Sequence, residues 1–216
     1  MREPENIQQV AELGIDLMGF IFWPKSPRYV RSIQVKAGIV PNMPNIKVKK
    51  SARKVKRVGV FVDEMPQTVI THAYNYHLDY IQLHGNEPAV YIDNLKRTLI
   101  PDILPDVKII KALSIREADD VKRWREYEGV ADLLLFDTKC KCVGGSGEQF
   151  DWSVLDCYDG DIPFLLSGGI GPDDAERLKQ FNHPKCIGID LNSRFEDEPG
   201  VKNVEKLREF LKLMHN

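Results

Sequence analysis

The sequence predicts an α/β fold, a single (β/α)8 TIM barrel whose first β-strand is absent, and three observations carry that reading. Short apolar runs alternate with helical segments along the chain, the pattern of parallel strands joined by crossover helices. The apolar run 133–136 breaks on Asp137 and opens into Gly144-Gly145-Ser146-Gly147. A run of this kind suits a strand buried on both faces, and a carboxylate at its C-terminal end sits where such sheets keep their chemistry. The turns Ser167-Gly168-Gly169-Ile170 and Asp190-Leu191-Asn192-Ser193 follow the last two strands. Barrels commonly bind phosphate there.

The chain opens with a helix: Pro4 suits a first turn, and Ile7, Val10, Ala11 and Leu13 form an apolar face closed by Gly14. Residues 17–22 read as a buried strand, the loop 23–29 is stiffened by Pro24 and Pro27, and 32–38 reads as a second helix. Seven basic residues and no acidic ones crowd 41–57. Because this insert joins a helix to the next strand, it falls on the face away from the strand C-termini, which favours a solvated loop over a nucleic-acid patch. Strands then follow at 58–62, 79–83, 107–112, 133–136, 163–166 and 186–191. Helices fall at 65–76, 87–97, 117–127, near 152–155, at 172–180 and at 204–214, and a loop at 192–196. This makes seven strands with a helix leading, so a barrel closing on eight would lack its first.

The chain has 216 residues, enough for one barrel domain spanning 1–216, and its 30 basic and 32 acidic residues nearly cancel. No global field favours nucleic acid, and no apolar run is long enough for a membrane span. The start is polar, without the pattern of a signal peptide. Four cysteines, Cys140, Cys142, Cys157 and Cys186, are too few for a disulfide scaffold, and Cys140-Lys141-Cys142 lacks a second pair at metal spacing. The expectation is a reduced cytoplasmic protein with no metal, acting on a small phosphorylated molecule. Oligomeric state stays open.

Asp137 is the candidate acid or base, against a helix cap or a turn aspartate. Arg28, presented by a rigid loop, suits a substrate carboxylate through two parallel hydrogen bonds, against an ordinary surface arginine. His84 ends the strand 79–83 and either orients a substrate or caps its loop. Gly168 and Gly169, with Asn192 and Ser193, make the candidate phosphate cradle, since glycines let backbone N–H groups approach an anion.

The segments Phe20-Ile21-Phe22-Trp23-Pro24-Lys25-Ser26-Pro27-Arg28-Tyr29-Val30, Ile81-Gln82-Leu83-His84-Gly85, Leu135-Phe136-Asp137-Thr138, Leu166-Ser167-Gly168-Gly169 and Gly188-Ile189-Asp190-Leu191-Asn192-Ser193 occur in this order. Together they resemble the phosphoribosylanthranilate isomerase family of tryptophan biosynthesis, and the insert 41–57 is the one long stretch without a counterpart. The resemblance implies an eight-stranded barrel that converts N-(5-phosphoribosyl)anthranilate to 1-(2-carboxyphenylamino)-1-deoxyribulose 5-phosphate by Amadori rearrangement. It implies Asp137 as general acid, Arg28 on the anthranilate carboxylate and the two turns as the phosphate cradle. The chemistry is proton transfer, so no cofactor is expected.

The family's general base is a cysteine in a Lys-(Val/Ile)-Cys-Gly stretch ending the first strand. None of the four cysteines matches it, and Met1-Arg2-Glu3-Pro4-Glu5-Asn6 resembles the residues just after that stretch. The expectation is therefore a sequence that begins one strand late and is inactive as written. The alternatives are a catalytically silent phosphosugar-binding barrel and another phosphosugar enzyme, such as an epimerase or indole-glycerol-phosphate synthase.

Overall fold

The computed structural model describes residues 1–30, 33–35, 38–40, 54–138 and 151–215. The strands β1 (Leu17–Ile21), β2 (Ile33–Val35), β3 (Gly38–Val40), β4 (Lys56–Phe61), β5 (Tyr80–Leu83) and β6 (Lys108–Ile115) occupy the first half. The second half holds β7 (Leu133–Thr138), β8 (Phe164–Ser167), β9 (Cys186–Ile189), β10 (Glu196–Glu198) and β11 (Val201–Lys202). Helices α1 (Pro4–Ala11), α2 (Pro66–Asn75), α3 (Ala89–Leu99), α4 (Ala118–Val121), α5 (Ala175–Gln180) and α6 (Val204–His215) lie between and around them.

Seven strands form one parallel sheet in the order β1-β4-β5-β6-β7-β8-β9. Among the described residues β1 and β9 are its two ends. The strict alternation of side chains along each strand divides the apolar residues into two layers. Val58, Ile110, Ala112, Leu133, Leu135 and Leu165 pack together on the inner face, with Leu17 and Tyr80 partly buried beside them. The intervening residues, among them Phe61, Ile81, Leu83, Ile109, Leu113, Leu134, Phe136, Phe164 and Leu166, pack in a second cluster with helical residues such as Val69, Ile92, Leu178 and Phe210. The inner layer thins at the ends: Gly19 on β1 is exposed and Ile187 on β9 is 62% exposed.

Pro4 stands in the first turn of α1, where its missing N–H costs nothing. Asn6 on that helix fixes the far end of the chain: its amide donates to Lys202 O and accepts from Lys202 N, both at 2.8 Å.

Several sequence expectations need correction. Ile33–Val35 and Gly38–Val40 are strands, where a helix was expected over 32–38. β2 and β3 pair antiparallel, Ile33 opposite Val40 and Val35 opposite Gly38. Ile33, Val35, Ile39 and Val40 are β-branched and fit a pleated strand better than a helix. The segment expected to be one helix over 117–127 is α4 followed by a 3-10 helix, Lys122–Tyr127, and Trp152–Cys157 is a 3-10 helix as well. Pro172–Asp174 is a 3-10 turn before α5, and the loop expected at 192–196 contains the 3-10 turn Ser193–Phe195 and the start of β10. Most of the basic insert (41–53), Cys140, Cys142 and Gly144–Gly147 lie outside the described residues. Among the described residues no helix is long and apolar enough to cross a membrane.

Candidate active site

The inner-facing positions become polar toward the strand C-termini. On β5 the side-chain series runs Tyr80, Gln82, His84; on β7 it runs Leu133, Leu135, Asp137; on β8 it ends at Ser167. Register places Asp137 beside Ser114 on one side and Ser167 on the other. A charged and hydrogen-bonding ring thus caps an apolar plug.

Asp137 and His84 come together over this ring. Asp137 Oδ2 is 3.6 Å from His84 Nε2, with the Asp137 side chain 18% exposed and that of His84 32% exposed. The other ring nitrogen, Nδ1, is 2.8 Å from the Gln82 side-chain nitrogen. The backbone N–H of His84 donates to Phe61 O at 2.8 Å.

Beneath His84 lies a buried ion pair. Lys111 and Glu87 are 1% and 2% exposed at their side chains and 2.9 Å apart. Lys111 Nζ also donates to Leu83 O at 3.3 Å and Gly85 O at 2.7 Å, the carbonyls on either side of His84. The Glu87 carboxylate accepts from Gly85 N and from Asp63 N in the loop after β4. Burial pulls the Lys111 ammonium below its usual pKa, against the opposing pull of the Glu87 hydrogen bond and charge. With every partner in place the pair is tolerable; with one removed, a buried charge is left alone.

Past β8, Gly168 and Gly169 both adopt left-handed backbone angles, φ 102° and 66°. A Cβ on Gly168 would fall 2.0 Å from Thr138 O, so this turn lies directly against the end of β7. Thr138 Oγ1 donates to Ser167 O at 2.7 Å, and Ser167 Oγ donates to Asp190 Oδ2 at 2.9 Å, tying the ends of β7, β8 and β9 in sequence. Gly169, Asn192 and Ser193 are exposed on the adjoining turns. Backbone N–H groups in such turns form an anion-binding concavity.

Arg28 is not an isolated surface arginine. Its Nε lies 3.0 and 2.9 Å from the two carboxylate oxygens of Glu196, and its Nη2 lies 2.6 Å from Oε2. Glu196 also meets Lys202 Nζ at 3.3 Å, and that ammonium donates to Asn192 O at 2.9 Å and Oδ1 at 3.0 Å. Burial pushes the Glu196 carboxyl up, but Arg28, Lys202 and the Gly200 N–H together outweigh it and hold the group below the usual Glu range. Burial is also the main reason Lys202 falls below the usual lysine range.

The site residues read from the sequence therefore fall into two assemblies. Asp137 and His84 meet directly, and Arg28 joins the Asn192 turn through Glu196 and Lys202. Sequence reading missed Gln82, Glu87, Lys111, Asp190, Glu196 and Lys202. Lys111 and Gln82 did leave a signal, a polar residue inside an apolar strand run. Glu87 and Asp190 lie in loops, and Glu196 and Lys202 on the short strands β10 and β11, where polar residues are ordinary. Neither described cysteine reaches the mouth: Cys186 begins β9, and Cys157 Sγ lies 3.0 Å from Val154 O in the 3-10 helix after β7. Among the described residues no three His, Cys, Asp or Glu side chains gather as a metal site.

A family model described as N-(5'phosphoribosyl)anthranilate (PRA) isomerase matches residues 1–213. An N-(5'-phosphoribosyl)anthranilate isomerase of Parabacteroides distasonis is 43% identical over 211 residues, covering 98% of this chain and 89% of that protein. One from Rhizobium leguminosarum bv. trifolii is 36% identical over 215 residues, covering 97% and 89%. The crystal structure of phosphoribosyl anthranilate isomerase from Thermotoga maritima superposes with a TM-score of 0.73 at 30% identity, over 100% of this chain and 95% of that one. Another such isomerase, solved in complex with reduced 1-(o-carboxyphenylamino)-1-deoxyribulose 5-phosphate, superposes with a TM-score of 0.70 at 28% identity, over 99% and 94%. With a family model matched over nearly its whole length and relatives of this similarity, the chain belongs to the N-(5'-phosphoribosyl)anthranilate isomerase family.

Proposed function

We propose that the protein catalyses the Amadori rearrangement of N-(5-phosphoribosyl)anthranilate in tryptophan biosynthesis, with Asp137 as the general acid. The observation that carries this is the position of Asp137, on the inner face at the C-terminal end of β7 and 3.6 Å from His84. Asp137 gives its proton to the ribose ring oxygen, the ring opens to an iminium, and a base then removes the proton from the adjacent carbon. The resulting enolamine tautomerises to the ketone. Arg28 receives the anthranilate carboxylate. Glu196 occupies the Nε/Nη2 edge of the guanidinium, so the ligand meets the Nη1/Nη2 edge. Gly168, Gly169, Asn192 and Ser193 take the phosphate, and His84 stands beside the acid, its Nε2 3.6 Å from Asp137 Oδ2.

The base enters this reading with the shape of the barrel. An eighth strand between β1 and β9 would close a TIM barrel over 1–216, and a cysteine at its C-terminal end would stand in the mouth. Among the described residues β1 and β9 end the sheet, and the Met1 nitrogen donates to Gly19 O at 2.8 Å beside β1.

The test is Asp137→Asn in the protein. Turnover should fall by roughly 10²–10⁴-fold, the usual worth of a general acid, with KM nearly unchanged. Near-normal turnover would remove Asp137 from the mechanism.

A further inference from the structure

Gln82 and His84 share the inner face of β5, two residues apart, and Gln82 is only 8% exposed. Burying an amide is costly unless it is hydrogen-bonded, so its placement in the strand run Tyr80-Ile81-Gln82-Leu83 needs a partner. The partner is the histidine ring: Gln82 Nε2 lies 2.8 Å from His84 Nδ1. A side-chain amide nitrogen only donates, so Nδ1 must accept, and a neutral imidazole that accepts at Nδ1 carries its proton on Nε2. That nitrogen faces Asp137 Oδ2 at 3.6 Å. The backbone that carries the ring is fixed, because Lys111 Nζ holds the carbonyls of Leu83 and Gly85 and Phe61 O holds the His84 N–H.

We propose that Gln82 is a positioning residue that fixes the tautomer of His84, so that an N–H and never a lone pair is turned toward Asp137. The proposal rests on Asp137 being the acid of the reaction. An Nε2 lone pair would accept the Asp137 proton in a hydrogen bond and compete with the substrate oxygen for it. An Nε2–H cannot accept. It leaves that proton for the substrate and then donates to the carboxylate that remains, stabilising the acid's product. Two chemically separate demands, withholding a base and supplying a donor, are thus met by one amide behind the ring.

Nitrogen-15 spectra of the imidazole rings test this on the protein at neutral pH, with His84 identified by the signals lost in His84→Asn. In the wild type, His84 should be protonated on Nε2 and bare on Nδ1. In Gln82→Glu the new carboxylate accepts instead of donating and should draw a proton onto Nδ1, while the other histidine signals and the circular dichroism stay in place. Gln82→Met, close in size and without a donor, should give a mixture of tautomers and serves if the Glu variant does not fold. Turnover in the Gln82→Glu protein should fall by at least about tenfold with KM retained, since proton transfer is what suffers. A wild-type His84 protonated on Nδ1, a tautomer unmoved by either substitution, or unchanged turnover in Gln82→Glu would each overturn the proposal. If Asp137→Asn retains turnover while the spectra behave as expected, it is the assignment of the acid that fails and not the tautomer.

Discussion

Glu196 sits between two cations, and its charge decides how Arg28 is presented. Ionised, it holds the Nε/Nη2 edge of Arg28 and the ammonium of Lys202 together. Its folded pKa lies below the ordinary Glu value. A depressed carboxyl pKa means that the unfolded chain binds the proton more readily, so the stabilisation is present above about pH 4.5 and is lost as pH falls through the folded value. Glu196→Gln should therefore flatten the acid limb of the stability curve, read as urea midpoints at neutral pH and below the ordinary Glu range. Equal acid slopes in the two proteins would show that Glu196 is not the group responsible. Residues at this scale were unevenly legible. Asp137 and His84 stand at strand ends, where alternation alone says which way a side chain points. Glu196 meets Arg28 across 168 positions of sequence, and nothing local marks such a pair.

The turn after β8 joins the catalytic face to the proposed phosphate cradle. Gly168 has φ 102°, where an L side chain is strained, and its Cβ would collide with Thr138 O. The obstructing atom is backbone, so it cannot rotate away. Gly168→Ala should cost at least the roughly 1–3 kcal/mol of an unfavourable backbone region, which for a chain of this size is a fall in Tm of several degrees, at about 2–4 °C per kcal/mol. An unchanged melting curve would mean the turn is free to rearrange. Parallel strands at this scale were readable because each is a compact apolar run between turn residues. The segment 33–40 was not: in a short run, apolar residues spaced for a helix are spaced almost as well for a strand, and here tertiary pairing decides. The 3-10 stretches escaped for a related reason, since Lys122–Tyr127 and Trp152–Cys157 are too short for periodicity to separate their hydrogen-bond pattern from an α-helix.

For the molecule as a whole, the sheet has a middle and two ends. β6 and β7 lie between neighbours on both sides and carry most of the inner plug; among the described residues β1 and β9 end the sheet, and the outer side of β1 meets the Met1 nitrogen at Gly19 O and the Val30 N–H at Ile21 O. Unpaired strand edges open readily and can template association. In residues 1–216, amide exchange should be slowest across Leu133–Thr138 and fastest, among the sheet strands, across Leu17–Ile21 and Cys186–Ile189. Uniform exchange along the sheet would argue against this ranking of its strands. The number of strands could be read in sequence because each is a separate apolar run. How the sheet's two ends sit could not, because that depends on pairing that no single segment encodes.

The Lys111 ammonium belongs to β6, yet its partners are the backbone beside His84 and, through Glu87, the N–H of Asp63. Two loops from two strands therefore take their shape from a side chain on a third. Loops on barrels are often treated as interchangeable cassettes, and these two are not. A graft replacing the loop after β4 alone would take the Asp63 N–H from the Glu87 carboxylate, and one replacing the loop after β5 alone would take Glu87 and the Gly85 carbonyl from the lysine. Any redesign of this side of the mouth has to move both loops and the residue at 111 as a single part.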